Sequence, residues 1–90
     1  MRFEWDPQKN EATQRDRNIS FEDATFLWDS PSSIEVPAKT DGEVRVAKIG
    51  FLFDKLHICI FTYRGENIRI ISVRRAHPKE EKQYEKTKAY

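Results

Sequence analysis

Residues 44–75 read VRVAKIGFLFDKLHICIFTYRGENIRIISVRR. Val44 to Phe53 alternates loosely between apolar and polar side chains. Leu56 to Tyr63 is almost wholly apolar, and Ile68 to Arg75 is rich in branched residues. Asp54-Lys55 and Arg64-Gly65-Glu66-Asn67 punctuate the run with turn chemistry. Connections this short join neighbouring strands antiparallel, so the stretch predicts a three-stranded meander with a buried central strand.

The flanks supply helices. Arg2-Phe3-Glu4-Trp5 alternates and suits a short strand. Asp6-Pro7 then offers an N-cap and a proline at the first helical position, predicting a helix to about Arg17. Beyond Ala12 that helix has little apolar material, so it must lean on neighbours. Ser20 opens a second helix, with Ser20-x-x-Asp23 patterned as a capping box. Phe21, Ala24, Leu27 and Trp28 share one face at helical spacing, and Asp29-Ser30-Pro31 ends it. Residues 31–43, with Pro31, Pro37 and Asp41-Gly42, read as a loop with at most a short edge strand at Ile34–Val36. After the meander, His77-Pro78 begins a polar helix carrying Glu80 and Tyr84. The expected fold is α+β: one domain over residues 1–90, two N-terminal helices and one C-terminal helix on an antiparallel sheet.

Ninety residues, 38% of them hydrophobic, suffice for one small core. No apolar run nears the roughly 18 residues that span a bilayer. The start, Met-Arg-Phe-Glu-Trp-Asp, lacks the apolar stretch of a secretory signal. Cys59 is the only cysteine, which excludes an internal disulfide and a cysteine-built zinc site. A reducing, cytoplasmic setting and no membrane partner are therefore expected. The net charge of +1 conceals an asymmetry. Residues 1–44 carry five Lys/Arg and ten Asp/Glu, a balance of −5; residues 45–90 carry eleven and five, a balance of +6. A basic half raises the expectation of a polyanionic partner, against the alternative of a solvated surface.

The chemistry-bearing residues are few. His57 and His77 are the only histidines, and neither has a carboxylate at ligand spacing, so no metal and no cofactor are expected. Cys59 lies mid-strand among apolar residues and reads as an inert buried thiol. The arginines are more telling. Arg64, Arg69, Arg74 and Arg75 fall within one hairpin. Strand alternation predicts Arg69, Ile71, Val73 and Arg75 on one face, and Ile70, Ser72 and Arg74 on the other. Arg45 begins the preceding strand and would lie across the sheet from this group. Guanidinium groups are always charged and grip phosphate in a fork, which suits the developing charge of a pentacovalent phosphorane. The competing reading is that Arg74 and Arg75 end a strand in solvent. Most aromatics are expected in the core; Tyr63 and Tyr84 lie near element ends and are the better candidates for surface roles.

Phe3-Glu4-Trp5-Asp6-Pro7-x-Lys9, then Ile19-Ser20-Phe21-Glu22-Asp23-Ala24, resembles the opening of the BrnT family of bacterial toxins. Glu43-x-Arg45-x-x-x-Ile49-Gly50 resembles the family's first long strand. Phe61-Thr62-x-Arg64-Gly65, then Arg69-Ile70-Ile71-Ser72-Val73-Arg74-Arg75-Ala76 with Glu80 and Tyr84, resembles its most characteristic block. The resemblance extends from Phe3 to Glu85. It implies a fold similar to RelE-type toxins and a ribonuclease toxin of a type II toxin–antitoxin pair; with no metal ligands in view, a metal-independent endoribonuclease is expected. It also implies a small ribbon-helix-helix (BrnA-like) antitoxin partner, with DNA reached only through that antitoxin.

On this resemblance Arg64, Arg69 and Arg75 are expected to act on the scissile phosphate. Lys9, Arg17, Arg45, Thr62, Ser72 and Arg74 are expected to bind substrate, with His57, Tyr63 and Glu80 as proton-transfer candidates. One position departs from the pattern. The family usually reads Lys-His-Gly where this chain has Asp16-Arg17-Asn18, and Arg17 cannot exchange protons at neutral pH. The alternative implied by that departure is a toxin relative without turnover that binds its antitoxin and regulates its operon.

Overall fold

In the computed structural model, which describes residues 2–39 and 42–88, the predicted meander forms at the expected place. Asp41 of the expected loop lies outside the described residues. The elements in chain order are β1 (Phe3–Glu4), α1 (Pro7–Arg17), α2 (Phe21–Ala24), β2 (Ile34–Pro37), β3 (Val46–Leu52), β4 (Lys55–Arg64), β5 (Asn67–Arg75) and α3 (Pro78–Lys88). The sheet order is β1-β5-β4-β3-β2. The fold is α+β, but the sheet is mixed rather than purely antiparallel. β1 pairs parallel with β5, Phe3 opposite Ile68 and Glu4 opposite Arg69. No short turn announces that pairing, because two helices and three strands intervene.

Local chemistry places the helices. The Asp6 carboxylate accepts the Gln8 N–H at 2.9 Å, and α1 ends where Asn18 turns to a φ of 57°. Only Thr13 of α1 is buried. The helix lies along the outer edge of β5, where the Arg17 guanidinium donates to the Val73 carbonyl at 3.0 Å. That bond satisfies an edge acceptor left open beyond the short β1. Ser20 and Asp23 form the predicted capping box, both bonds at 3.0 Å. The second helix is α-helical for one turn only; Thr25–Asp29 tightens into a 3-10 turn. The Thr25 hydroxyl bonds the Glu22 carbonyl three residues back at 2.6 Å, which favours the tighter winding.

The sheet buries both faces unequally. One face meets α2 and the 3-10 turn, burying Phe21, Leu27, Cys59, Phe61, Ile70 and Val73. Trp28 stands edge-on between Phe3, at 5.0 Å, and Phe61, at 4.8 Å. On the other face Ala47, Ile49, Leu56 and Ile58 pack with Tyr84 of α3. Tyr84, expected at the surface, is instead buried, because its ring closes the core on this side; its hydroxyl donates to the Ser32 carbonyl at 3.0 Å, seating α3 over one end. Ile60 and Ile71, beyond its reach, remain half-buried.

A bulge changes the face assignment predicted for β5. Ile60 lies opposite Ser72, but Phe61 lies opposite Ile70, leaving Ile71 as an extra residue. Directly opposed residues share a face. Arg69, opposite Thr62, therefore joins Ser72 and Arg74 on the α3 side. Val73 and Arg75, opposite Cys59 and His57, turn to the α2 side. The expected alignment of Arg69, Ile71, Val73 and Arg75 is corrected accordingly.

Gly50 lets β3 approach its neighbours closely. A Cβ there would lie 2.9 Å from Leu27 Cδ2 and 3.0 Å from Ser33 Cβ. Gly50→Ala is expected to destabilise the protein by about 1–3 kcal/mol through overpacking. The check is a lower urea midpoint at an unchanged unfolding slope.

Candidate functional site

The uncovered part of the α3 side is a groove of about 580 Å³. Ile60 and Ile71 form its floor, and Lys9, Lys39, Arg45, Ser72, Arg74 and Glu80 stand around it. Its lining thus carries four cations against one carboxylate, Glu80. The Arg45 Nε–H is buried and has no hydrogen-bond partner. Its terminal nitrogen lies 3.9 Å from Glu43. A buried donor without an acceptor is costly, and a groove of this sign suits an anionic one.

Arg74 and Glu80 form a two-pronged ion pair, both bonds at 2.8 Å. Glu80 also accepts the His77 backbone N–H at 2.7 Å. The Arg74 hydrogen bonds hold the Glu80 carboxyl down to about 2, from an ordinary value near 4.5. A depressed carboxyl contributes stability that is complete above the unfolded value and disappears as pH falls through the folded one. Glu80→Gln is expected to cost about 1–2 kcal/mol at pH 7, allowing for solvent screening of a partly exposed pair. The difference from the parent should shrink between pH 4.5 and about 2. Urea unfolding along a pH series measures it.

The other expected site residues divide. Lys9, Arg45, Ser72 and Arg74 line this groove together. Thr62 is on the same face but only 3% exposed, and its hydroxyl donates to the Val44 carbonyl at 2.6 Å. Arg69 donates to Glu4 at 3.0 Å, and the Asn67 amide reaches the same carboxylate at 3.3 Å. Those bonds, Arg69 first, hold the Glu4 carboxyl below its ordinary value. They also fasten β1 to β5. Arg64 is half-exposed at the Gly65 hairpin, 3.9 Å from Glu43. Its register partner Asn67 is eight strand positions from Arg75, about 25 Å at the usual rise. Arg64, Arg69 and Arg75 therefore do not converge on one phosphate.

Arg17 and Arg75 meet elsewhere. They border two adjoining hollows, of about 400 and 490 Å³, on the opposite side of the sheet. His57 is 5% exposed there, its Nδ1 2.8 Å from the Lys55 carbonyl oxygen. Tyr63 is exposed on that side and packs edge-on against Phe61. Of His57, Tyr63 and Glu80, only Glu80 belongs to the first groove. Cys59 is fully buried, and burial pushes its thiol up to about 12, as an inert core cysteine requires. No cluster of three or more His, Cys, Asp or Glu able to hold a metal occurs among the described residues. Lys39 and Gln83 also line the groove, and nothing in the sequence pattern marks them for it. Both come from segments without a chemical pattern, and only the fold brings them to Arg45.

The chain is thus a small mixed-sheet α+β domain with a cationic groove on its less-covered face. A family model described as the ribonuclease toxin BrnT of type II toxin–antitoxin systems matches residues 5–80, and the chain belongs to this family. RNA is the substrate of such a toxin, and a protein antitoxin is its partner. No curated protein matches the chain. No helix among the described residues is long and apolar enough to cross a membrane.

Proposed function

We propose that the α3-side groove binds the scissile phosphate of RNA and that cleavage there needs no metal ion. The gathering of Lys9, Lys39, Arg45 and Arg74 around one open groove carries this reading, because a phosphate would supply the counter-charge that Glu80 alone does not. The RNA 2′-hydroxyl attacks the adjacent phosphorus and gives its proton to water, the 5′-oxygen leaves and takes a proton from water, and a 2′,3′-cyclic phosphate remains. Negative charge builds on the phosphorane oxygens. Arg45, Arg74 and Lys9 face that charge already in place, and preorganised donors of this kind are worth most in a partly dehydrated groove. Ser72 offers a hydroxyl for orientation. Glu80, ionised down to about 2, holds Arg74 in position and is a weak base. Four lining cations repel a divalent metal and supply the electrostatic stabilisation a metal would otherwise give.

Arg64 extends the cationic face toward the Gly65 hairpin, while Arg69 serves through Glu4. The partner is read as a ribbon-helix-helix antitoxin on the resemblance, with DNA reached through it. An acidic segment of such a protein would suit the same groove. The setting is read as the cytoplasm, where RNA is available.

The test is RNA cleavage by the purified protein in excess EDTA. Products ending in 2′,3′-cyclic phosphate are expected. An absolute requirement for added magnesium, or products with 3′-hydroxyl ends, would overturn the proposal. Arg17, where the family pattern has a histidine, favours a second reading: a toxin relative without turnover that binds its antitoxin and regulates its operon. No cleavage in this assay, with antitoxin binding retained, selects it.

A further inference from the structure

We propose a second nucleotide site on the α2 side of the sheet, in which Phe53 stacks a base and Arg17 and Arg75 hold a phosphate of the same RNA strand. The proposal rests on the reading of the first groove as the scissile site. Phe53 carries it. Phe53 and Asp54 make the two-residue turn between β3 and β4, with φ values of 52° and 65°. Both lie in the left-handed region, where Asn-Gly is the ordinary choice and a bulky side chain is disfavoured. Burial does not compensate, because Phe53 is 67% exposed. A strained, solvent-facing ring contributes little to folding, and strain of this kind gathers at binding sites.

The ring's neighbours fit a nucleotide. Phe53 borders the same hollow as Arg17, Lys55, His57 and Arg75. Its one carboxylate, Asp23, is already engaged by the Ser20 N–H at 3.0 Å. Arg17 uses one terminal nitrogen on Val73, leaving its other donors for an anion. With Nδ1 facing the Lys55 carbonyl, His57 presents Nε2 as its remaining polar atom. Aromatic stacking beside backbone cations is how single strands are held without sequence readout. Arg74 borders both the first groove and the hollow that contains Arg75. A strand leaving the first groove can therefore pass around the sheet end from Arg74 to Arg75.

The test uses uncleavable 2′-O-methyl RNA of four and twelve nucleotides, with binding read by fluorescence anisotropy on the full chain. Phe53→Asn suits the left-handed turn, so its thermal midpoint should rise while twelve-nucleotide binding weakens at least about fivefold. Arg75→Ala should lower the salt slope of that binding by about 0.7, one phosphate contact on a single strand. Neither change should alter binding of the four-nucleotide RNA, which Arg45→Ala should weaken. Twelve-nucleotide binding unaffected by both Phe53→Asn and Arg75→Ala overturns the second site. Four-nucleotide binding unaffected by Arg45→Ala, or no RNA binding by the parent chain, overturns the underlying reading of the first groove instead.

Discussion

Alanine in place of Arg45 is expected to lower RNA cleavage by about 10²–10³-fold, the usual cost of removing one preorganised donor from a charge-stabilising site. The loss should appear in kcat/KM, since Arg45 faces the phosphate both in the bound substrate and as its charge grows. Stability should respond differently. The Arg45 Nε–H is buried without a partner, and its removal relieves an unsatisfied donor. The packing of the arginine stem is lost at the same time. These effects oppose each other, so the thermal midpoint should move by only a few degrees. Arg45→Lys keeps a charge but loses the fork, and should recover only part of the activity. Full cleavage by Arg45→Ala would remove this residue from the site.

Phe61→Ala should have the largest effect on folding. Phe61 is fully buried and lies against Trp28 at 4.8 Å and Tyr63 at 5.6 Å. It also sits beside the register change that redirects β5. Truncating a buried phenylalanine costs about 3–5 kcal/mol. A 90-residue chain has about 5–13 kcal/mol of stability in all, so the variant forfeits a large share. A fall in thermal midpoint of about 12 °C or more is expected. Phe61→Leu refills most of the volume and should fall far less. A Phe61→Ala midpoint within a few degrees of the parent would show that the Trp28–Phe61 contact does not hold the α2 side together.

The fold was largely legible because its signals are local. The Asp6 cap, the Ser20–Asp23 box and the turns around Asp54 and Gly65 each declare themselves within a few residues. β1 declares nothing of its pairing, since a two-residue strand with no turn to its partner carries no register. Its tie to β5 combines backbone pairing with Glu4 reaching Arg69, 65 residues away in the chain. That distance is also why Arg69 looked like a free phosphate ligand. The bulge was hidden for another reason. Ile70 and Ile71 are the same residue type, and only the opposing β4 decides which of them is extra.

The first groove was half visible. Strand order sets Arg45 across the sheet from the arginines of the last hairpin, and alternation puts Ser72 on the face of Arg74. The orphaned Arg45 donor and the pairing of Arg74 with Glu80 are matters of packing, and composition cannot report them. In the sequence Phe53 reads as one more core aromatic. Only its left-handed backbone and its exposure set it apart.

The most direct test of the first groove is an isoleucine-methyl NMR titration of the parent protein with the four-nucleotide 2′-O-methyl RNA. Ile58, Ile60 and Ile71 line the α3-side groove, while Ile19 lines the opposite hollows. Saturable shifts at Ile60 and Ile71, with Ile19 unmoved, are the predicted result. Shifts confined to Ile19 would contradict it and move the scissile phosphate to the side of His57 and Arg75.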